Sequence, residues 1–391
     1  MRQLIAECAG FEIVNAAGYS TRVGGSCPSR EILDAMAYAQ SQYFEIDDLL
    51  DIASRIIAEA TGSEAGLVTC GAGAALALSA AAVLAGNDVE KMDLLPDVST
   101  LQRKEFIYPA CGRFDYDRPL RLSGATLSEL PFSPDTLEQE LAEAVSPATA
   151  GVVFVWKHRS DDTLIQRIAT VCRERQMPFI LDAAMALPPS ENLQALYALG
   201  PNLITISGGK HLGGPQNSGL LFGDRDLIHS AWLQMVDMDV RSASWSRRCL
   251  LNEGFVSRPP RHGLGRAMKV GKDTILGCLA AVKLYGQRDL AAERVHWHSI
   301  CQTIVQESTP SAHFQLQYLE ENGTGQYPVV QLQADSAKRM NELKDRLKSL
   351  PRKVILAEHE EDEAIAYIYP LCLSDKDLEI VTGALSTLTY E

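Results

Sequence analysis

Short apolar runs alternate with amphipathic stretches along most of the chain. Residues 65–69, 105–108, 151–156, 179–181, 203–207 and 219–222 have the length and bulk expected of buried strands. A helix is predicted over residues 31–39, opened by Pro28-Ser29, with Ile32, Leu33, Ala35 and Met36 as its apolar positions. Further helices are predicted over 49–61, closed by Gly62, and over 136–145 and 162–176. Strands alternating with helices predict an α/β fold built on a mostly parallel, doubly wound sheet covered on both faces. The texture changes after about residue 290. There 329–333, 353–357 and 364–369 read as strands and 336–350 and 375–388 as helices, which suggests a smaller α+β C-terminal domain. The stretch 273–290 reads as a connecting helix. The expected organisation is an arm and helix over 1–45, a large domain over 46–275, and the connector and small domain over 276–391.

Length and composition are compatible with this plan. A chain of 391 residues suits a large domain with a smaller one, and 46% hydrophobic with 22% charged residues argues against disorder. The net charge of −14 repels phosphate backbones, so no nucleic-acid partner is expected. Nine scattered cysteines include no CxxC pair, which points to a reducing cytoplasm and neither a disulfide framework nor a structural metal. Glu7 interrupts the N-terminal apolar run, unlike a secretory signal. Residues 67–86 are uncharged but mostly Ala and Gly, with Thr69 and Ser79 among them. A buried strand followed by a small-residue helix explains them better than a membrane span.

Three strand ends carry candidate chemistry. The run from Asn202 to Ser207 leads into Gly208-Gly209-Lys210-His211. Ligands of open α/β sheets sit at the carboxyl ends of strands, and an amine desolvated there becomes a nucleophile. The run ending at Asp182-Ala-Ala184 lies 28 residues before Lys210. A carboxylate there suits a pyridine nitrogen, with Ala184 leaving room for a ring. Gly71-Ala72-Gly73 opens a helix whose N-terminal N–H groups suit a phosphate, and Ser207 adds a hydroxyl. Phosphate turn, aspartate and lysine together point to pyridoxal 5'-phosphate (PLP), held by Lys210 as an imine. A dinucleotide loop of an NAD(P)-dependent oxidoreductase is the rival. Its third small position falls on Leu76, however, and only Asp88 stands at the acidic-residue distance.

This order of motifs is similar to that of fold-type I PLP enzymes. Lys210-His-Leu-Gly-Gly-Pro-Gln-Asn-Ser-Gly219 resembles bacterial selenocysteine synthase and its tRNA-independent relatives, among them the D-glucosaminate-6-phosphate ammonia-lyase type. Matching stretches are Asn15-Ala-Ala-Gly, Thr21-Arg-Val-Gly-Gly25, Asp182-Ala-Ala with Leu187-Pro-Pro, and Gly265-Arg-Ala-Met-Lys-Val-Gly-Lys272. Two departures matter. The chain starts almost at the arm, whereas selenocysteine synthase carries a tRNA-binding domain before it. The segment 108–117 also lacks the histidine expected to stack on the ring, leaving Cys111 or Phe114 to cover it. Arg22, Arg266, Lys269 and Gln216 are candidates to face the substrate, the arginines as forks for carboxylate or phosphate. His211 is a candidate for proton transfer or for a structural hydrogen bond.

The resemblance implies a lyase or β-replacement enzyme acting on a small amino acid or amino sugar acid. Lys210 would exchange its imine for the substrate amine and then deprotonate Cα. Racemase and aminotransferase chemistry share that first step and stay open. A homodimer or higher homo-oligomer is also implied.

Overall fold

The computed structural model describes the chain except residues 114, 132, 159, 160, 238–240, 309–311, 324 and 389–391. In chain order its strands are β1 (Ile13–Ala16), β2 (Ala65–Thr69), β3 (Glu105–Pro109), β4 (Thr126–Leu130), β5 (Thr149–Val155), β6 (Phe179–Asp182), β7 (Leu203–Ser207), β8 (Gly219–Gly223), β9 (Phe314–Leu319), β10 (Val329–Ala334), β11 (Lys353–Glu358) and β12 (Ile365–Ile368). Two compact units result, one made of residues 26–288 and the other of 1–25 with 289–391.

The 26–288 unit carries a seven-stranded sheet in the order β2-β8-β7-β6-β5-β3-β4. β8 pairs antiparallel with both β2 and β7, and the remaining pairs are parallel. β2, β6 and β8 are buried along their whole length, as expected of strands covered on both faces. The helix Ala72–Ala85 is buried on nearly every side, which its small residues permit. Residues 67–86 are therefore β2 and this helix. No helix among the described residues is long and apolar enough to cross a membrane. β4 escaped the sequence reading because, as an edge strand, it shows only partly buried and exposed positions.

In the second unit five strands run β1-β11-β12-β10-β9. β1 pairs parallel with β11, from Ile13 with Lys353 to Ala16 with Leu356. Val14, Ala16, Val330, Leu332, Val354 and Ile368 form its core with Ile300, Leu343 and Leu385 from the helices Leu290–Glu307, Ala337–Ser349 and Asp375–Leu388. The start of the arm thus joins the C-terminal part of the chain. The breaks between these two units fall at 25/26 and 288/289. That parallel pairing spans more than 300 residues, which local pattern does not encode.

Candidate active site

With β8 alone reversed, β2, β7, β6, β5 and β3 end on the same edge of the sheet. That edge gathers Gly71–Gly73, Ser207 with Lys210, Asp182, His158 and Cys111 in row order. Its geometry begins at the phosphate turn. Gly71 has φ 93°, a value L side chains rarely adopt, and caps the helix Ala72–Ala85. The first helical bond at this end runs from Ala75 N to Gly71 O at 3.1 Å, so the N–H groups of Ala72, Gly73 and Ala74 have no helical acceptor. A Cβ on Gly219 of β8 would lie 2.5 Å from Gly71 C, so the two segments touch backbone to backbone. Ser207 is half-buried at the end of β7.

Asp182 is buried at the end of β6. Its Oδ1 accepts from Ala184 N at 3.0 Å and from Thr205 Oγ1 at 3.2 Å. Burial raises its carboxyl above the usual range, opposed by the Ala184 N–H, the charge of Lys210 and the Thr205 hydroxyl. Lys210 shows the complementary response. Burial lowers its amine below the ordinary value, while Asp182 pulls it back up. The two groups thus stand near adjacent strand ends, Asp182 buried and Lys210 half-buried.

The loop that carries Lys210 needs its two glycines. A Cβ on Gly208 would sit 2.1 Å from Ser218 Oγ, and one on Gly209 2.4 Å from Gln216 Cα. His211 is 1% exposed and engaged on both sides of its ring. Nδ1 lies 3.0 Å from Tyr285 Oη and Nε2 lies 3.2 Å from a guanidinium nitrogen of Arg288. Since the guanidinium only donates, Nε2 accepts and Nδ1–H donates to the tyrosine. Burial, reinforced by Arg288, holds the imidazole well below its usual pKa. This geometry favours the structural hydrogen-bond reading of His211 over the proton-transfer one.

The substrate-facing candidates are less gathered. Arg266 donates to Asp237 Oδ2 at 2.6 Å, Lys269 is exposed, and Gln216 is exposed while its backbone packs on Gly209. Arg22 belongs to the other unit, where it donates to Leu356 O at 2.8 Å. Cys111 is exposed just past β3, and its carbonyl accepts from Lys157 Nζ at 3.4 Å. Phe114 lies outside the described residues. Asp88 accepts from Glu90 N and Lys91 N as a helix cap, and Leu76 is buried in a helix. Asp88 is thus engaged as a helix cap and a bulky leucine fills the third small position, so that rival loses its support. The sequence reading missed Thr205, whose hydroxyl holds Asp182, and His158, half-buried beyond β5. His158 had a signal in the sequence, since Trp156-Lys157-His158 ends an apolar run as Asp182 does. Thr205, Tyr285 and Arg288 had none, because their roles depend on tertiary contacts.

No protein-family model matches the chain. Among characterised proteins, it is 27% identical over 287 residues to D-glucosaminate-6-phosphate ammonia lyase of Salmonella typhimurium, covering 71% of this chain and 68% of the relative. It is 30% identical over 283 residues to 5'-C-glycyluridine monooxygenase-decarboxylase of a Streptomyces species, with 70% and 63% covered. L-seryl-tRNA(Sec) selenium transferase of Nitratidesulfovibrio vulgaris is 24% identical over 301 residues, with 70% and 55% covered. The last two alignments thus span less than two thirds of the relatives' own lengths. A solved structure of D-glucosaminate-6-phosphate ammonia-lyase superposes with a TM-score of 0.75 at 21% identity, covering 99% of both chains. Ureidoglycine-glyoxylate aminotransferase from Bacillus subtilis superposes at 0.59 and 12%, covering 96% of this chain and 92% of that one. By fold the chain is similar to these fold-type I structures, and by sequence it resembles the selenocysteine-synthase and D-glucosaminate-6-phosphate ammonia-lyase group.

Proposed function

We propose that the protein is a PLP-dependent lyase or β-replacement enzyme acting on an amino acid or amino sugar acid. The observation that carries this reading is the placing of buried Asp182 at the end of β6 and half-buried Lys210 just past the end of β7, in the same row as the helix N-terminus at Gly71. The residues suit the cofactor at three of its polar points. The N–H groups of Ala72, Gly73 and Ala74 and the Ser207 hydroxyl suit the phosphate, and the Gly71 turn leaves its approach open. Asp182, with Oδ1 already bonded, has Oδ2 left to keep a proton on the pyridine nitrogen. Lys210 offers an amine that burial keeps ready to lose its charge.

Bound there, PLP would supply an electron sink for the pair left on Cα. Lys210 Nζ takes the α-proton and, after the β-substituent leaves, can return a proton to the same face. Ala184 keeps the space beside Asp182 small and apolar. Cys111, beyond β3, is the residue proposed to cover the ring. Arg266, Lys269 and Gln216 are proposed to orient the substrate, Arg266 by exchanging Asp237 for a substrate carboxylate or phosphate.

The relatives' names support the substrate class. Glucosaminate, a glycyl nucleoside and a seryl ester each present an amino-acid unit on a larger polar group. Their named outcomes differ, as expected where the electron sink is common and the substrate side decides which bond breaks. Racemisation and transamination, like the proposed lyase, start from Cα deprotonation. The net charge of −14 supports a small-molecule substrate over a nucleic acid. Leu33, Tyr38, Tyr43, Ile46 and Ile52 are exposed on and between the helices Arg30–Gln40 and Ile46–Thr61, which supports a homodimer. The free cysteines support a cytoplasmic location.

The test is spectroscopic. Titrating PLP into the full chain should produce an absorbance band in the visible. Amino acids and amino sugar acids bearing a β-leaving group should then shift that band and release ammonia with a keto product. A protein that gains no band, or whose band ignores every amino substrate, contradicts the proposal.

A further inference from the structure

The lysine loop is tied down through its backbone carbonyls. Gly208 O accepts from Gly214 N at 2.8 Å, and Lys210 O accepts from Gly213 N at 2.9 Å. Gly209 O accepts from Ser26 N at 3.0 Å, and His211 O accepts from Arg288 at 2.7 Å. Gly214 O accepts from Ser26 Oγ at 2.7 Å. Every carbonyl from 208 to 211 is thus bonded, two within the loop and two from outside it. The outside donors are the first and the last residue of the 26–288 unit, the two places where the chain passes to the other unit.

Both donors are held to this task. Ser26 is buried and uses its N–H and its hydroxyl on the same loop. Arg288 divides its guanidinium between the His211 carbonyl and the His211 ring, with its carbon 5.1 Å from the Tyr285 ring centroid. A planar fork suits this double contact, and a lysine could make only part of it. The four-carbon stem of Lys210 is flexible, so where its amine sits depends on where its backbone is fixed.

We propose that Ser26 and Arg288 are positioning residues for Lys210, clamping its loop at both points where the chain leaves the unit. The inference rests on the reading of Lys210 as the cofactor-bearing lysine. It ties the passage of the chain between units to the geometry of the reactive amine.

The experiment compares Ser26→Ala, Arg288→Ala, Arg288→Lys and the double variant Ser26→Ala/Arg288→Ala as full chains. The readouts are the rate at which apoprotein forms a Lys210–PLP adduct, the pH midpoint of the adduct's absorbance, kcat and KM, and the thermal midpoint. Arg288→Ala should slow adduct formation and lower kcat about tenfold with little change in KM, as misplacement of a reacting group does. Ser26→Ala, which removes one hydrogen bond, should cost about threefold, and Arg288→Lys should recover part of the loss. If Arg288→Ala fails to fold, Arg288→Lys and Ser26→Ala carry the measurement. Variants that melt lower yet keep the wild-type adduct rate and pH midpoint overturn the positioning role and leave a structural one. A wild-type protein that forms no adduct overturns the reading of the site, and this inference with it.

Discussion

The loop around Lys210 and the cationic positions at 22, 266 and 269 are both glycine-rich neighbourhoods with a basic residue, and the structure treats them differently. Around Lys210 the carbonyls are bonded, the amine is desolvated and its partner Asp182 is buried. Arg266 already holds Asp237, Arg22 holds a backbone carbonyl, and Lys269 is exposed. Burial perturbs a group's chemistry, whereas a solvated ion pair is worth little and exchanges readily. The comparison separates a fixed lysine loop, which suits the cofactor, from cationic positions that are exposed or engaged in exchangeable contacts.

Substitutions should fall in that order. Lys210→Ala removes the proposed base and attachment point, and turnover should drop on the order of 10³-fold, measured by ammonia release. Asp182→Asn keeps the shape but not the charge, and kcat should fall about 100-fold, roughly 2.7 kcal/mol of barrier. Gly209→Ala drives a methyl into the Gln216 backbone and should destabilise by about 1–3 kcal/mol, read as a lower urea midpoint. Arg266→Lys, at one of the exchangeable contacts, should raise KM about fivefold with kcat nearly unchanged, because bidentate recognition is lost and chemistry is not. A larger loss from Arg266→Lys than from Asp182→Asn would break that separation.

A pH experiment sharpens it. With its folded pKa depressed by burial, Lys210 should react with an amine reagent in apoprotein at a midpoint below the 10.5 of an ordinary lysine. The same shift has a sign for stability. The unfolded chain binds the extra proton between the folded and unfolded values, so the Lys210 contribution to stability should rise with pH across that window. Denaturant midpoints of wild-type and Lys210→Met apoprotein should converge there.

Much of this was legible in the sequence, for physical reasons. Strands buried on both faces leave continuous apolar runs, so β2 and β7 could be placed to the residue. Glycines mark the turns that present chemistry, Gly71 through its positive φ and Gly208 and Gly209 through their close approach to Ser218 and Gln216. Edge strand β4 and the β1–β11 pairing left no comparable trace, since one is half solvated and the other joins distant segments. The same limit hid the supporting residues. Thr205 is an ordinary strand threonine until Asp182 lies beside it, and Arg288 an ordinary arginine until the chain returns to His211. Local pattern encodes which groups stand at strand ends, and tertiary return of the chain decides what holds them.

The most direct test of the central claim is to add PLP to the full chain, reduce with borohydride and locate the adduct by peptide mass spectrometry. The account predicts one reduced PLP on Lys210, absent from Lys210→Ala. A modification spread over surface lysines, or none at all, would contradict it.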